Sequence, residues 1–409
     1  MSNILFVTTN YWPEPTGISI YTSDLAESLK QAGHSVFILT GLPHYPWWKI
    51  PNEYTHLAEG ESKQNGIHII RAKHFIPLRI NALERIRFEI SLWWNLRRVS
   101  KEYRTKQFDL VLACIPTVAA GIVGKRMAKI LKANFGLIVQ DLSGAGAKQS
   151  GMPGGHFTSI FTYAIEKKIY QAAHGIVVVS SAMRDVIIEL GVESSLIHEI
   201  LNYSARTIIS EERHLARGKF GWTMDHFLVI HTGNMGLKQD LENVVAAAEK
   251  LQGDSQVIIC LVGHGNQESK LKSLCNDKKN ILIMAAVSDQ DYSALLSAAD
   301  LLLVNERITQ MDMSLPSKLT SYLSSGRPIL ASVPPGGATW RFLDGIAELV
   351  EAGNPIALAQ KIEELSKNPN RLKELADLGY KFAKENLDAK KGRQKYLDWV
   401  NDLLNLKSS

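Results

Sequence analysis

Apolar runs of four to six residues alternate with longer segments in which apolar side chains recur every three or four positions, along nearly all of the 409-residue chain. The runs at 4–8 (ILFVT), 35–40 (SVFILT), 67–71, 109–113 (DLVLA), 135–139 and 176–179 (IVVV) predict strands, and 18–32, 82–105, 117–132, 157–173 and 181–190 predict helices. Runs without polar alternation are buried on both faces, the mark of parallel strands covered by helices. A polar stretch at 210–225 (SEERHLARGKFGWTMD) breaks the pattern, which then restarts. Strands are predicted at 227–231, 256–261, 280–284, 300–304, 328–331 and 347–350, and helices at 239–251, 266–275, 289–298, 316–325 and 355–367. The repeated strand–helix order predicts an α/β protein of two Rossmann-like doubly wound domains, 1–205 and 206–385. The helical end, 386–409, has no strand to feed and is expected to pack back toward the first domain. Ligands of such sheets bind outside the carboxyl ends of the strands, so two domains facing a central cleft would place the site there.

Composition narrows the class. No run approaches the roughly 20 apolar residues of a spanning helix, and the N-terminus lacks a basic lead and an apolar core of signal-peptide length. A cytoplasmic protein is the expectation. Cys114, Cys260 and Cys275 have no metal-ligand spacing and are expected to be free thiols; no metal site is expected. The formal charge is +5, and residues 79–106 alone carry eight basic residues against three acidic ones, a surplus equal to that of the whole chain. The remainder is balanced, and no nucleic-acid partner is expected.

The chemistry-bearing stretches all sit at strand ends. Gly233-Asn234-Met235-Gly236-Leu237-Lys238 follows a strand and opens a helix, a place where free backbone N–H groups, the helix end and a lysine can receive a phosphate. It is neither a P-loop, which needs a Lys-Ser/Thr pair, nor a dinucleotide turn, which needs a third glycine. Pro13-Glu14-Pro15-Thr16-Gly17-Ile18 holds the corresponding position after the first strand, and Gly263-His264-Gly265 is a third glycine turn. The segment 305–328 carries Glu306, Arg307 and Asp312, then Pro316, Ser317 and Lys318 at a predicted helix start.

In combination these stretches resemble the family 4 glycosyltransferases of GT-B fold, in particular the bacterial exopolysaccharide and colanic-acid biosynthesis type. The resemblance rests on NYWPEPTGISIYTSDLAESLKQAGHSVFILTGLPHYP, VQDLSGAGAKQSG, GNMGLKQDLENVVAAA, the GHG turn and DMSLPSKLTSYLSSGRPILAS, in that order. It implies a retaining transferase that moves a sugar from a nucleotide-diphosphate-sugar donor to an acceptor such as a lipid-linked saccharide, without cofactor or metal. The donor would be held by Gly17, Gly233, Asn234, Gly236, Lys238, Gly263, His264, Glu306, Pro316, Ser317 and Lys318. Lys238, Asp141 and Asp312 would serve catalysis, and Tyr45, Trp47 and Gln140 the acceptor.

Two departures stand out. Many members carry two glutamates where this chain has Met313 and Ser321, so Asp312 or Glu306 would have to substitute; many carry a His-Asp pair where this chain has Gln140-Asp141. These departures keep open a second reading, an inactive glycosyltransferase-like scaffold of a polysaccharide assembly complex. The basic segment 79–106, with Phe88, Leu92, Trp93 and Leu96, admits two readings: a face for an anionic membrane surface, which would make the enzyme peripheral on the inner face of the plasma membrane, or a helix whose aromatics are core and whose arginines are a solvated face.

Overall fold

The computed structural model describes residues 1–15, 17–57, 59–77, 81–142, 155–203, 208–209, 211–251, 256–309 and 315–406. Two compact units result, Met1–Ala205 with Lys390–Ser409, and Arg206–Ala389.

The first unit is built on an eight-stranded sheet. Its strands are β1 (Asn3–Val7), β2 (Ser35–Gly41), β3 (Gly60–Gln64), β4 (Ile67–Ala72), β5 (Leu110–Ile115), β6 (Asn134–Val139), β7 (Gly175–Val178) and β8 (Ile197–Glu199), in the order β3-β4-β2-β1-β5-β6-β7-β8. Helices α1 (Ile18–Gln31), α2 (Ala82–Val99), α3 (Val118–Leu131), α4 (Gly155–Tyr170) and α5 (Ser181–Glu189) connect them. All described pairings are parallel except β3 with β4. The pattern does not predict β3, because Glu61, Ser62 and Lys63 form an exposed edge strand without apolar alternation. The hairpin turn is nevertheless written in Asn65-Gly66, both at positive φ, as a twist-matched two-residue turn requires.

The second unit has a six-stranded parallel sheet of β9 (Phe227–Asn234), β10 (Val257–His264), β11 (Ile281–Met284), β12 (Leu301–Asn305), β13 (Ile329–Val333) and β14 (Glu348–Glu351), ordered β11-β10-β9-β12-β13-β14. Helices α6 (Arg213–Lys219), α7 (Leu241–Lys250), α8 (Glu268–Cys275), α9 (Asp289–Ala298), α10 (Lys318–Ser324), α11 (Ala338–Leu343), α12 (Pro355–Ser366) and α13 (Pro369–Asn386) surround it. The polar stretch thought to interrupt the pattern contains α6, whose buried Arg217 donates to the Ala298 and His226 carbonyls and pairs with Asp300. A charged side chain therefore does the packing there, which hides the helix from an apolar-periodicity reading.

The last helix, α14 (Ala389–Asn405), returns to the first unit. A Cβ on Gly136 or Gly175 would stand 2.7 and 2.9 Å from Leu403 and Trp399, so two glycines in β6 and β7 make the groove into which these side chains fit. The guanidinium of Arg393 grips Asp24 through Nε and Nη2, and Asn134 donates to the Leu403 carbonyl.

Candidate functional site

In the second unit the sheet order runs outward in both directions from β9, so the crevice between the carboxyl ends of β9 and β12 is the topological switch point where open α/β sheets bind ligands. Side chains from both strands build it. Asn305, which closes the otherwise apolar β12, is buried and donates to the Gln239 and Asp240 carbonyls at 2.8 and 3.0 Å; its side-chain Oδ1 accepts from Asn243. Arg307 N–H adds a bond to the Lys238 carbonyl at 2.9 Å. The turn that carries exposed Lys238 is thus clamped by the neighbouring strand.

The turn itself differs from the expected helix start. Leu237–Gln239 form one 3-10 turn, Asp240 takes a left-handed conformation at φ 44°, and α7 begins only at Leu241. The amides of Met235 and Gly236 are engaged, by the His264 carbonyl at 2.8 Å and by Gln239 Oε1 at 3.3 Å. Two donors ascribed to a phosphate cradle are therefore taken by the protein.

A second lysine is close by. Lys318 opens α10, two residues after the predicted start at Pro316, and is half-buried. Its Nζ lies 3.0 Å from His231 Nε2, and its Cε and Nζ stand 3.6 and 3.7 Å from where a Cβ on Gly233 would be. Gly233 has φ 113°, a backbone conformation open to glycine. Glu306, just beyond β12, accepts from Thr339 at 2.7 Å and acts electrostatically on Lys318. Gly263 has a structural reason to be glycine, since its Cβ would fall 1.8 Å from the Gly233 carbonyl oxygen. His264 is exposed and pairs with Glu268 at 3.2 Å, and the Asn234 side chain folds toward Gly236. Pro316 is half-buried and Ser317 exposed at the start of α10. Asp312 and Met313 lie outside the described residues.

In the first unit the corresponding switch point is β1 against β5. Thr9 and Thr117 hydroxyls meet across it, and Gly17, at φ 68°, precedes α1. A Cβ on Gly17 would touch the Tyr45 ring at 3.0 Å. Glu14, which the sequence reading passed over, joins the two loops: its buried carboxyl accepts from the His44 and Tyr45 amides at 2.8 and 2.9 Å and from Asn10 at 2.8 Å. Burial raises its pKa, partly offset by His44. The signal available in sequence was a glutamate between two prolines beside a glycine loop, which exposure rules alone would place in solvent. Tyr45 and Trp47 remain over a third exposed. Gln140 exchanges both amide functions with Asn202, at 3.1 and 2.8 Å, and exposed Asp141 accepts from the Leu142 amide.

The expected membrane face on α2 needs correction. Phe88, Leu92 and Leu96 are buried core, and half-buried Trp93 stacks under Arg97. The outward stripe is instead Leu83, Ile86, Ile90 and Trp94, flanked by Arg87, Arg97 and Arg98, with Leu83, Ile90 and Trp94 each more than half exposed. Composition showed an amphipathic helix; only its packing shows which apolar residues are left outside. Among the described residues no helix is long and apolar enough to cross a membrane.

Comparison with known proteins matches residues 16–202 to the glycosyl transferase 4-like domain and residues 212–382 to the glycosyl transferases group 1. WcaI of Escherichia coli K12, named as a colanic acid biosynthesis glycosyl transferase, is 28% identical over 342 residues, spanning 79% of this chain and 81% of that protein. Among solved structures, sucrose-phosphate synthase from Thermosynechococcus elongatus is similar with a TM-score of 0.76 at 16% identity, over 98% of this chain and 99% of that one. Anabaena HepE in complex with UDP-glucose gives 0.68 at 15% identity, over 98% and 100%. At these identities the structural likeness is one of fold.

Proposed function

The chain is a glycosyltransferase of GT-B fold, composed of a glycosyl transferase 4-like domain and a group 1 domain, and from that premise we propose that it transfers a sugar, with retention, from a nucleotide-diphosphate-sugar to a lipid-linked saccharide in surface polysaccharide synthesis. The observation that carries the donor assignment is the β9–β12 crevice, where Lys318 stands against Gly233 and Lys238 is carried on the same turn. HepE, a relative in fold, was solved with UDP-glucose, and WcaI is named for colanic acid biosynthesis; both support the reading.

As the bond between the anomeric carbon and the diphosphate oxygen breaks, negative charge grows on the leaving group, and cations beside it stabilise the transition state more than the ground state. The acceptor oxygen forms the new bond on the same face, and its proton passes to the departing phosphate oxygen. That route dispenses with a histidine at the position of Gln140. Two lysines supply the compensating charge, so the reaction is proposed to need no divalent ion and to persist in chelator. Glu14 acts as a positioning residue, holding the Tyr45 loop against the Gly17 loop. The α2 stripe is proposed to lie on an anionic bilayer, where each nearby basic side chain contributes about 1 kcal/mol.

The test is incubation of the purified chain with UDP-, GDP- and ADP-sugars and a membrane extract, reading transfer and slow donor hydrolysis. Turnover with one donor supports the enzyme; binding without hydrolysis or transfer supports the scaffold reading, which the Gln140–Asn202 pairing and Ser321 favour.

A further inference from the structure

His231 lies in β9, fully buried, and reaches across the switch point to β12: its Nδ1 is 3.0 Å from the Leu303 carbonyl oxygen. A carbonyl only accepts, so the ring proton is on Nδ1 and the Nε2 lone pair faces Lys318. Burial, with the nearby lysine, holds His231 well below its ordinary pKa, so it stays neutral. Burial brings Lys318 down to about 7, against a smaller opposing effect of Glu306. Half-buried Lys318 keeps some solvent contact, so a proton can reach it from water.

The groups facing this pair come from every neighbouring element. Thr232 of β9 bonds the hydroxyls of Tyr322 on α10 and Tyr292 on α9; Glu306 follows β12 and already accepts from Thr339 of α11; Lys238 stands on the turn after β9. Among the described residues Lys318 has a neutral imidazole as its hydrogen-bond partner and no carboxylate at ion-pair distance.

Resting on the donor reading above, we propose that Lys318 and His231 form a proton-accepting pair beneath the Gly233 turn, and that a diphosphate bound there draws one proton from solvent onto Lys318. No covalent bond changes. The lysine amine gains a proton, the buffer loses it, and neutral His231 continues to accept from the ammonium. The linkage has a definite sign. Ligand raises the lysine pKa, so the complex holds more protons than the free partners above neutrality, and affinity falls by up to about tenfold per pH unit there.

The experiment is calorimetric titration of the full chain with UDP, GDP and ADP at about pH 8, where the nucleotide's own terminal phosphate is already ionised, in two buffers of different ionisation enthalpy. The expected result is uptake of close to one proton by the wild type with whichever nucleotide binds, and uptake near zero in Lys318→Arg, whose charge is fixed. Binding by the wild type without proton uptake overturns the pair and leaves the donor reading standing, as does equal uptake in Lys318→Arg. Absence of binding by all three nucleotides overturns the donor reading and this inference with it.

Discussion

The turn after β9 and the end of the adjacent strand β10 carry residues with different physical work. Lys238 is exposed, and its backbone carbonyl ties the turn to Arg307 just after β12. Lys238→Ala is expected to lower kcat/KM by about 100-fold, comparable to loss of an oxyanion-stabilising donor, while the melting temperature stays within a degree or two of wild type. Gly263→Ala reverses the pattern, because its Cβ would overlap the Gly233 carbonyl oxygen; a loss of stability above about 2 kcal/mol, seen in denaturant unfolding, is the expected outcome. Lys318 adds a pH signature to stability. Its folded pKa lies below its unfolded value, so between about 7 and 10.5 the unfolded chain binds more protons and stability rises with pH. Thermal melts of Lys318→Met should show that slope flattened. Sequence reading put Gly233 and Gly263 at strand ends, where β9 and β10 have them, because glycine after an apolar run marks the end of a strand. It could not find Glu14, Asn305 or His231, whose importance comes from partners 30, 65 and 72 positions away.

At the scale of elements, helices with an apolar stripe were legible and their partners were not. The α14 stripe of Tyr396, Trp399, Val400 and Leu403 is readable as a buried face, but the receiving groove exists because β6 and β7 carry Gly136 and Gly175 where other strands carry branched residues. Gly175→Leu should expel α14 and lower the unfolding midpoint of the first unit more than Arg393→Ala, which removes a pair near the surface where ion pairs contribute little. Differential scanning calorimetry of the two variants checks the order. Short polar elements, β3 and α6, escaped a reading based on apolar periodicity for the reason that neither uses it. On α2 the misassignment of faces has a direct consequence: Ile90→Asp is expected to weaken flotation with anionic vesicles while Phe88→Asp mainly unfolds the protein. Equal flotation of wild type and Ile90→Asp would remove the membrane role.

For the whole molecule, strand–helix alternation was enough to read two parallel α/β sheets, since unbroken apolar strands admit few other burials. The order of the strands was not in that pattern, and it is the order, with β9 central in its sheet, that creates the crevice. The site therefore follows from topology, and its chemistry from a few residues that topology brings together. On the proposed function the donor's diphosphate occupies the carboxyl end of β9 beside β12. A crystal structure of the chain with its nucleotide sugar tests this most directly. Phosphoryl density is expected against Gly233 and within hydrogen-bond reach of Lys238 or Lys318; a diphosphate bound elsewhere, with both lysines uninvolved, would contradict the donor assignment.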